Sequence, residues 1–301
     1  MLQLLQVLPA PRMHALVFLV VLLLTFLGST VAAPALPLEV RDSGVSQAVY
    51  NDLVTYAKYS SAVYQPFCPR PLGSWMIKAF DTKGTQGFVA RDDARKGIIV
   101  AFRGSFEIVD ILIDIQIILT PLSTPGVSNV GSARVHTGFQ KAYNFVTDEV
   151  QSLMKSQIDA YPSYKLVVTG HSLGGAVATF AALALKAKYP SKSLRLFTYG
   201  APRVGDAAFA SLVENRLGIN NIYRGVHTWD GVPTLLGRWL GYRHYGTEYW
   251  QHEDPSKPEN VRKCNGGEDT SCSNSIISTG INPPHAFQFG QVMAINPLLC
   301  F

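Results

Sequence analysis

The 301-residue sequence predicts an α/β fold: a central, mostly parallel sheet flanked by helices. Three observations carry this. Between Lys165 and His227, apolar β-branched runs alternate with helical stretches, the pattern of parallel strands joined by crossover helices. Gly97–Phe102, GIIVAF, is a continuous apolar run, as a strand buried on both faces requires. Finally, Leu166–Thr169 leads through Gly170-His171-Ser172-Leu173-Gly174 into the Ala- and Leu-rich stretch Gly175–Leu185. That order reads as strand, tight turn and buried helix. With 47% hydrophobic residues the chain can bury a large core, as one domain or two.

Taken from the N-terminus, residues 1–33 read as a secretory signal. Arg12 and His14 precede the apolar run Ala15–Leu27, and the small residues Val31-Ala32-Ala33 precede a cut near Pro34. The run is short for a bilayer, which needs about 20 residues. Residues 34–45 read as a short propeptide or tail, and 46–301 as one domain. Gln47–Tyr64 has helical spacing, with its tyrosines assigned to the core. Trp75–Phe80 and Gly87–Arg91 read as a hairpin. In Phe106–Leu119, FEIVDILIDIQIIL, Glu107 and Asp110 share one helical side while Ile108, Val109, Ile111 and Leu112 cover the rest. From Ile113 the pattern alternates, so helical turns running into a strand are expected. Its position directly after a strand-end serine makes Phe106–Leu119 read as a lid, with further core as the alternative.

Thr120–Gly131 reads as a Pro/Gly/Ser loop and Phe139–Tyr161 as a long amphipathic helix stopped by Pro162. Beyond the central turn come a strand at Leu194–Thr198, a helix near Ala207–Asn215 and a strand at Asn221–His227. The remainder reads mostly as loops, broken by Asn282–His285 and the apolar segment Ala286–Ile295.

The net charge of +5 comes from 26 basic and 21 acidic residues with no long basic run, which gives no case for nucleic acid. Secretion makes disulfides available to the four cysteines. Cys264 and Cys272 flank a short Asn-Gly-Gly loop, so local pairing is the simplest arrangement, leaving Cys68 for Cys300. A metal site lacks support, because there is no C-x-x-C spacing and no histidine at ligand offsets.

The strand–G-x-S-x-G–helix context presents Ser172 on a nucleophile elbow, beside helix N–H groups that favour negative charge. A neutral serine needs a base near the working pH and a third group to orient that base. With such an elbow the partners follow in the order Ser, acid, His. Asp230, just past the strand Asn221–His227, lies at the same sheet end as Ser172, whereas Asp206 suits a helix N-cap. Of the later histidines, His285 follows two prolines that fix where its ring points. His244 and His252 fall in a polar aromatic loop, and His136, His171 and His227 take structural roles. The backbone N–H of Leu173 and the strand-end Ser105 supply oxyanion donors. Arg103 and Arg203 are expected to brace loops, with substrate contact as the alternative. This chemistry requires no cofactor and no metal.

These residues resemble the filamentous-fungal class 3 lipases across Gln47 to Phe301. The anchors are Ala101–Ser105, His136–Phe139, Gly170–Gly175, Tyr199–Gly205, His227–Pro233 and Pro284-His285. The resemblance implies an α/β-hydrolase fold and a triad of Ser172, Asp230 and His285. It also implies an oxyanion donor at Ser105, a Cys68–Cys300 bridge and a hinged lid from Phe106. Two departures stand out. Some relatives carry a lid tryptophan where Ile111 falls, and Leu119-Thr120-Pro121 is similar to the feruloyl esterases of the same fold, whose lid is polar. An apolar lid face costs about 25 cal/mol per Å² when left in water. It should close in solution and open on lipid. With the signal segment and the apolar lid, the expectation is a secreted lipase working on acylglycerol esters at a lipid–water interface, as a monomer with no obligate protein partner. A soluble-ester or feruloyl esterase is the alternative.

Overall fold

The computed structural model of the chain describes residues 44–105, 117–278 and 280–300. The signal segment 1–33 and the lid residues Phe106, Ile108, Val109, Ile111 and Leu112 lie outside them.

The first described element, α1 (Gln47–Ala62), is N-capped by Ser46. Then come β1 (Trp75–Thr82), β2 (Thr85–Asp92) and β3 (Gly97–Phe102), paired antiparallel in that order. Short strands β4 (Leu119–Pro121) and β5 (Arg134–His136) form part of a separate small sheet. Helix α2 (Thr137–Ala160) is capped by the His136 ring, which accepts from Gly138 and Phe139. Strand β6 (Lys165–His171) runs into α3 (Leu173–Lys188), and β7 (Leu194–Tyr199) follows. Next come β8 (Gly205–Asp206), α4 (Ala207–Leu217) and β9 (Ile222–His227), with β10 (Tyr242–Arg243) joining the small sheet. Beyond these lie β11 (Thr247–Gln251), β12 (Val261–Lys263) and a last hairpin, β13 (Phe287–Gln288) and β14 (Gln291–Val292).

The main sheet has the order β1-β2-β3-β6-β7-β9-β11-β12. From β3 to β11 neighbouring strands are parallel, and β12 closes the edge antiparallel. Alternation along β3 shows how the two faces are filled. Ile98, Val100 and Phe102 join the core under α2, α3 and α4, while Ile99 and Ala101 join the core under α1.

Two expectations need correction. The strand expected to run up to Leu119 continues through Thr120 and Pro121, read as the start of a loop, because Leu119–Pro121 pairs with Arg134–His136. The region after His227 holds two further strands of the main sheet, β11 and β12. The sequence TEYWQ hides β11 because polar Thr247, Glu248 and Gln251 are buried alongside Tyr249 and Trp250. Glu248 meets Arg224 of β9 at 3.0 Å with both side chains buried, so the pair neutralises what the pattern makes look exposed. His244 and His252, expected in a polar aromatic loop, are buried there.

Disulfides join Cys68 to Cys300 and Cys264 to Cys272. The first closes a loop of 232 residues, which the chain-entropy picture values at about 5 kcal/mol.

Candidate active site

The junction of β6 and α3 is a turn of few degrees of freedom. Ser172 sits at φ 59°, ψ −130°, a strained conformation for a residue with a side chain, costing about 1–3 kcal/mol. Its flanking glycines are needed for closeness. A Cβ on Gly170 would strike the Gly174 backbone, and one on Gly174 would strike the carbonyl of Phe102 in β3. The strain turns the Ser172 side chain out of the sheet toward the loops beyond β9.

There Asp230 follows β9 by three residues and His285 stands in the one-turn helix Pro283–Ala286. His285 Nε2 lies 3.0 Å from Ser172 Oγ, and His285 Nδ1 lies 3.0 Å from both Asp230 oxygens. A carboxylate only accepts, so Nδ1 carries the proton and Nε2 offers its lone pair to the serine. The structure thus brings together Ser172, His285 and Asp230, which are 113 and 55 residues apart in pairs along the chain. Asp230 is 2% exposed and also accepts from the Val232 N–H and the Gln288 side chain, each at 3.0 Å. These bonds compensate the burial of a carboxylate.

Leu173 is the first residue of α3, so its N–H has no acceptor within the helix and lies next to the serine. Ser105 is half-buried and follows Gly104, whose Cα is close enough to the nucleophile that an added Cβ would lie 2.9 Å from Ser172 Cβ. Ser172 itself is 1% exposed.

Asp206, Arg203, Arg103, His227 and His244 make their side-chain bonds outside the triad's side chains. Asp206 caps α4 by accepting from Phe209. Arg203 donates to Glu268, Asn274 and the Thr234 carbonyl, tying three loops together, and Arg103 donates to Gln86. Burial opposes ionisation of Glu268, but the Arg203 guanidinium outweighs it and holds the carboxyl below its ordinary range. His227 bonds Pro284 and Asp254, and the His244 ring donates to the Pro233 carbonyl. Burial, aided by Arg224 and Arg203, pushes the His244 pKa well down.

Sequence reasoning missed Gln288 and Gly200. Gln288 is a polar residue fully buried in an apolar segment three places after His285, which is its only signal. Gly200, at φ 52°, permits the close approach of the acid: a Cβ there would lie 2.5 Å from Asp230 Oδ2 and 3.0 Å from His285 Nδ1.

The sequence pattern of the family described as Lipase (class 3) matches residues 99–239. A lipase of Rhizomucor miehei is 36% identical over 279 residues, spanning 86% of this chain and 73% of that protein. A secreted alkaline triacylglycerol lipase of Penicillium cyclopium is 34% identical over 249 residues, spanning 82% and 86%. Among solved structures, a triacylglycerol lipase from Penicillium expansum superposes with a TM-score of 0.77 at 32% identity, covering 83% of this chain and 97% of that one.

Proposed function

We propose, from the premise that this chain belongs to the class 3 lipase family, that it is a secreted triacylglycerol lipase. On this reading Ser172, His285 and Asp230 cleave the carboxylic esters of acylglycerols at a lipid–water interface. The observation that carries it is the unbroken line Ser172 Oγ, His285 Nε2, His285 Nδ1, Asp230, with every link at 3.0 Å.

His285 takes the Ser172 proton as Oγ attacks the ester carbonyl, and Asp230 stabilises the imidazolium. The Leu173 N–H and Ser105 hold the oxyanion of the tetrahedral intermediate. Collapse expels the alcohol, which leaves with the proton from His285 Nε2. Water, deprotonated by His285, then hydrolyses the acyl-enzyme and restores the serine.

The near-complete burial of Ser172 requires an opening step before substrate enters. We assign it to Phe106–Leu112, whose apolar Phe106, Ile108, Val109, Ile111 and Leu112 suit transfer onto lipid. Residues 1–33 act as the export signal and 34–45 as a short propeptide or tail ahead of a single domain, 46–301. The three reacting groups come from one chain, which supports a monomer. Among the described residues no helix is long and apolar enough to cross a membrane.

Rates measured through the solubility limit of tributyrin test this reading. A jump in rate when droplets form, with hydrolysis of emulsified triolein, is the expected result. Equal rates on dissolved and emulsified ester count against the interface, and ferulate release from methyl ferulate with inert triolein establishes the esterase alternative.

A further inference from the structure

Tyr64 and His171 belong to neither the triad nor the oxyanion donors, yet both are buried against them. The Gly104 N–H donates to Tyr64 Oη at 3.1 Å, Tyr64 Oη lies 2.7 Å from His171 Nδ1, and His171 Nε2 lies 2.9 Å from the carbonyl oxygen of His285. The direction of each bond follows from elementary chemistry. A carbonyl can only accept, so His171 Nε2 carries a proton. Burial, with the His285 ring beside it, lowers the His171 pKa well below its ordinary value, so the ring has that one proton. Nδ1 is then a bare lone pair and the Tyr64 hydroxyl must donate to it. The same hydroxyl oxygen accepts from Gly104.

We infer, building on the hydrolase reading above, that Tyr64 and His171 are positioning residues for the reaction. Together they form a one-way hydrogen-bond relay that holds the Gly104–Ser105 loop and the His285 backbone in register on either side of Ser172. Two contacts support this over a purely structural role. A Cβ on Gly104 would meet the Tyr64 hydroxyl, the His171 carbonyl at 2.8 Å and Ser172 Cβ at 2.9 Å, so the relay's first link sits against the nucleophile. The His171 and His285 rings lie 4.5 Å apart, tilted by 36°, so the last link also packs on the base. A chain of this kind sets both sides of the transition state from one hydroxyl, where a misplacement of an ångström is costly.

The test uses the full mature protein and a soluble ester, p-nitrophenyl butyrate, so that lid opening on lipid does not enter. Tyr64→Phe is expected to lower kcat about 10-fold or more while KM stays within about threefold, the loss of a stabilising contact made in the transition state. Tyr59→Phe is the control, because it removes a buried hydroxyl bond from the helix that ends just before Tyr64, to Asp92 at 2.9 Å, without touching the relay. Its kcat should stay within about twofold, although both variants lose similar stability. His171→Phe combined with Tyr64→Phe should cost no more than the worse single change, since links of one chain are not additive. If His171→Phe does not fold, Tyr64→Phe against Tyr59→Phe still decides. Nitrogen-15 spectra should show His171 as the Nε2–H tautomer. A Tyr64→Phe kcat within twofold of wild type, penalties that multiply in the double variant, or an Nδ1–H tautomer overturns the relay. Failure of the hydrolase reading is separate: it is seen if Ser172→Ala keeps the wild-type rate.

Discussion

Ser172 stands where a fully regular strand meets a helix with twelve consecutive buried residues, Gly174–Leu185. Asp230 and His285 stand in the last third of the chain, Asp230 just before the short turn Val232–Thr234 and His285 within Pro283–Ala286. The two regions hold parts of one site by different means. The centre is fixed by apolar packing on both faces of the sheet, which tolerates substitutions that conserve volume. The last third is fixed by directional bonds: the Arg224–Glu248 pair, the Arg203–Glu268 clasp and two disulfides. The serine side of the site is therefore made rigid by volume, and the acid–base side by partner choice.

That contrast gives a ranked set of expectations. The largest concerns activity. Asp230→Asn should lower kcat about 10⁴-fold, because the amide favours the wrong His285 tautomer, while the melting temperature changes little. Steady-state kinetics beside a thermal scan checks both halves. Next is stability in the last third. Glu248→Ala leaves Arg224 charged and buried and should cost about 3–5 kcal/mol in urea unfolding. A truncation in the centre such as Leu183→Val, on a helix packed all round, should cost about 1 kcal/mol. If the two substitutions cost the same, the distinction between directional and volume-based support is lost.

The pH dependence cuts across both regions. His171 in the centre and His244 in the last third are buried, with folded pKa values depressed below the ordinary 6.5. The unfolded chain therefore binds their protons first as pH falls. Stability from keeping both rings neutral is fully present above about pH 6.5 and declines below it, at about 1.4 kcal/mol per pH unit for each ring until the folded pKa is reached. Unfolding free energies between pH 8 and 5 should show this slope, and His244→Gln should halve it. The smallest effect is expected from Gln288→Leu. It removes one of the donors to Asp230 and should reduce kcat several-fold with KM unchanged.

The same contrast explains what could be read from the sequence. The strands and helices of the centre are legible because two-sided burial writes itself as apolar runs, as in β3 and β6. The elbow is legible because its turn admits only glycine around the serine. Asp230 and His285 follow from chain order and from their places beside a strand end and two prolines. Strand β11 is not legible, since its buried Glu248 and Gln251 are explained by partners such as Arg224, Ser273 and Asp254, which the strand itself does not contain. For the same reason His244, Gln288 and the Tyr64 hydroxyl look like ordinary surface or core residues until their partners are known.

The central claim is that one activated hydroxyl does the chemistry. It is tested most directly by treating the protein with a p-nitrophenyl phosphonate ester and locating the adduct by peptide mass spectrometry. One equivalent of p-nitrophenol released, with the phosphonyl group on Ser172 and all ester hydrolysis lost, is the predicted result. Full hydrolysis by a stoichiometrically labelled protein, or an adduct on another residue that alone abolishes turnover, would contradict it.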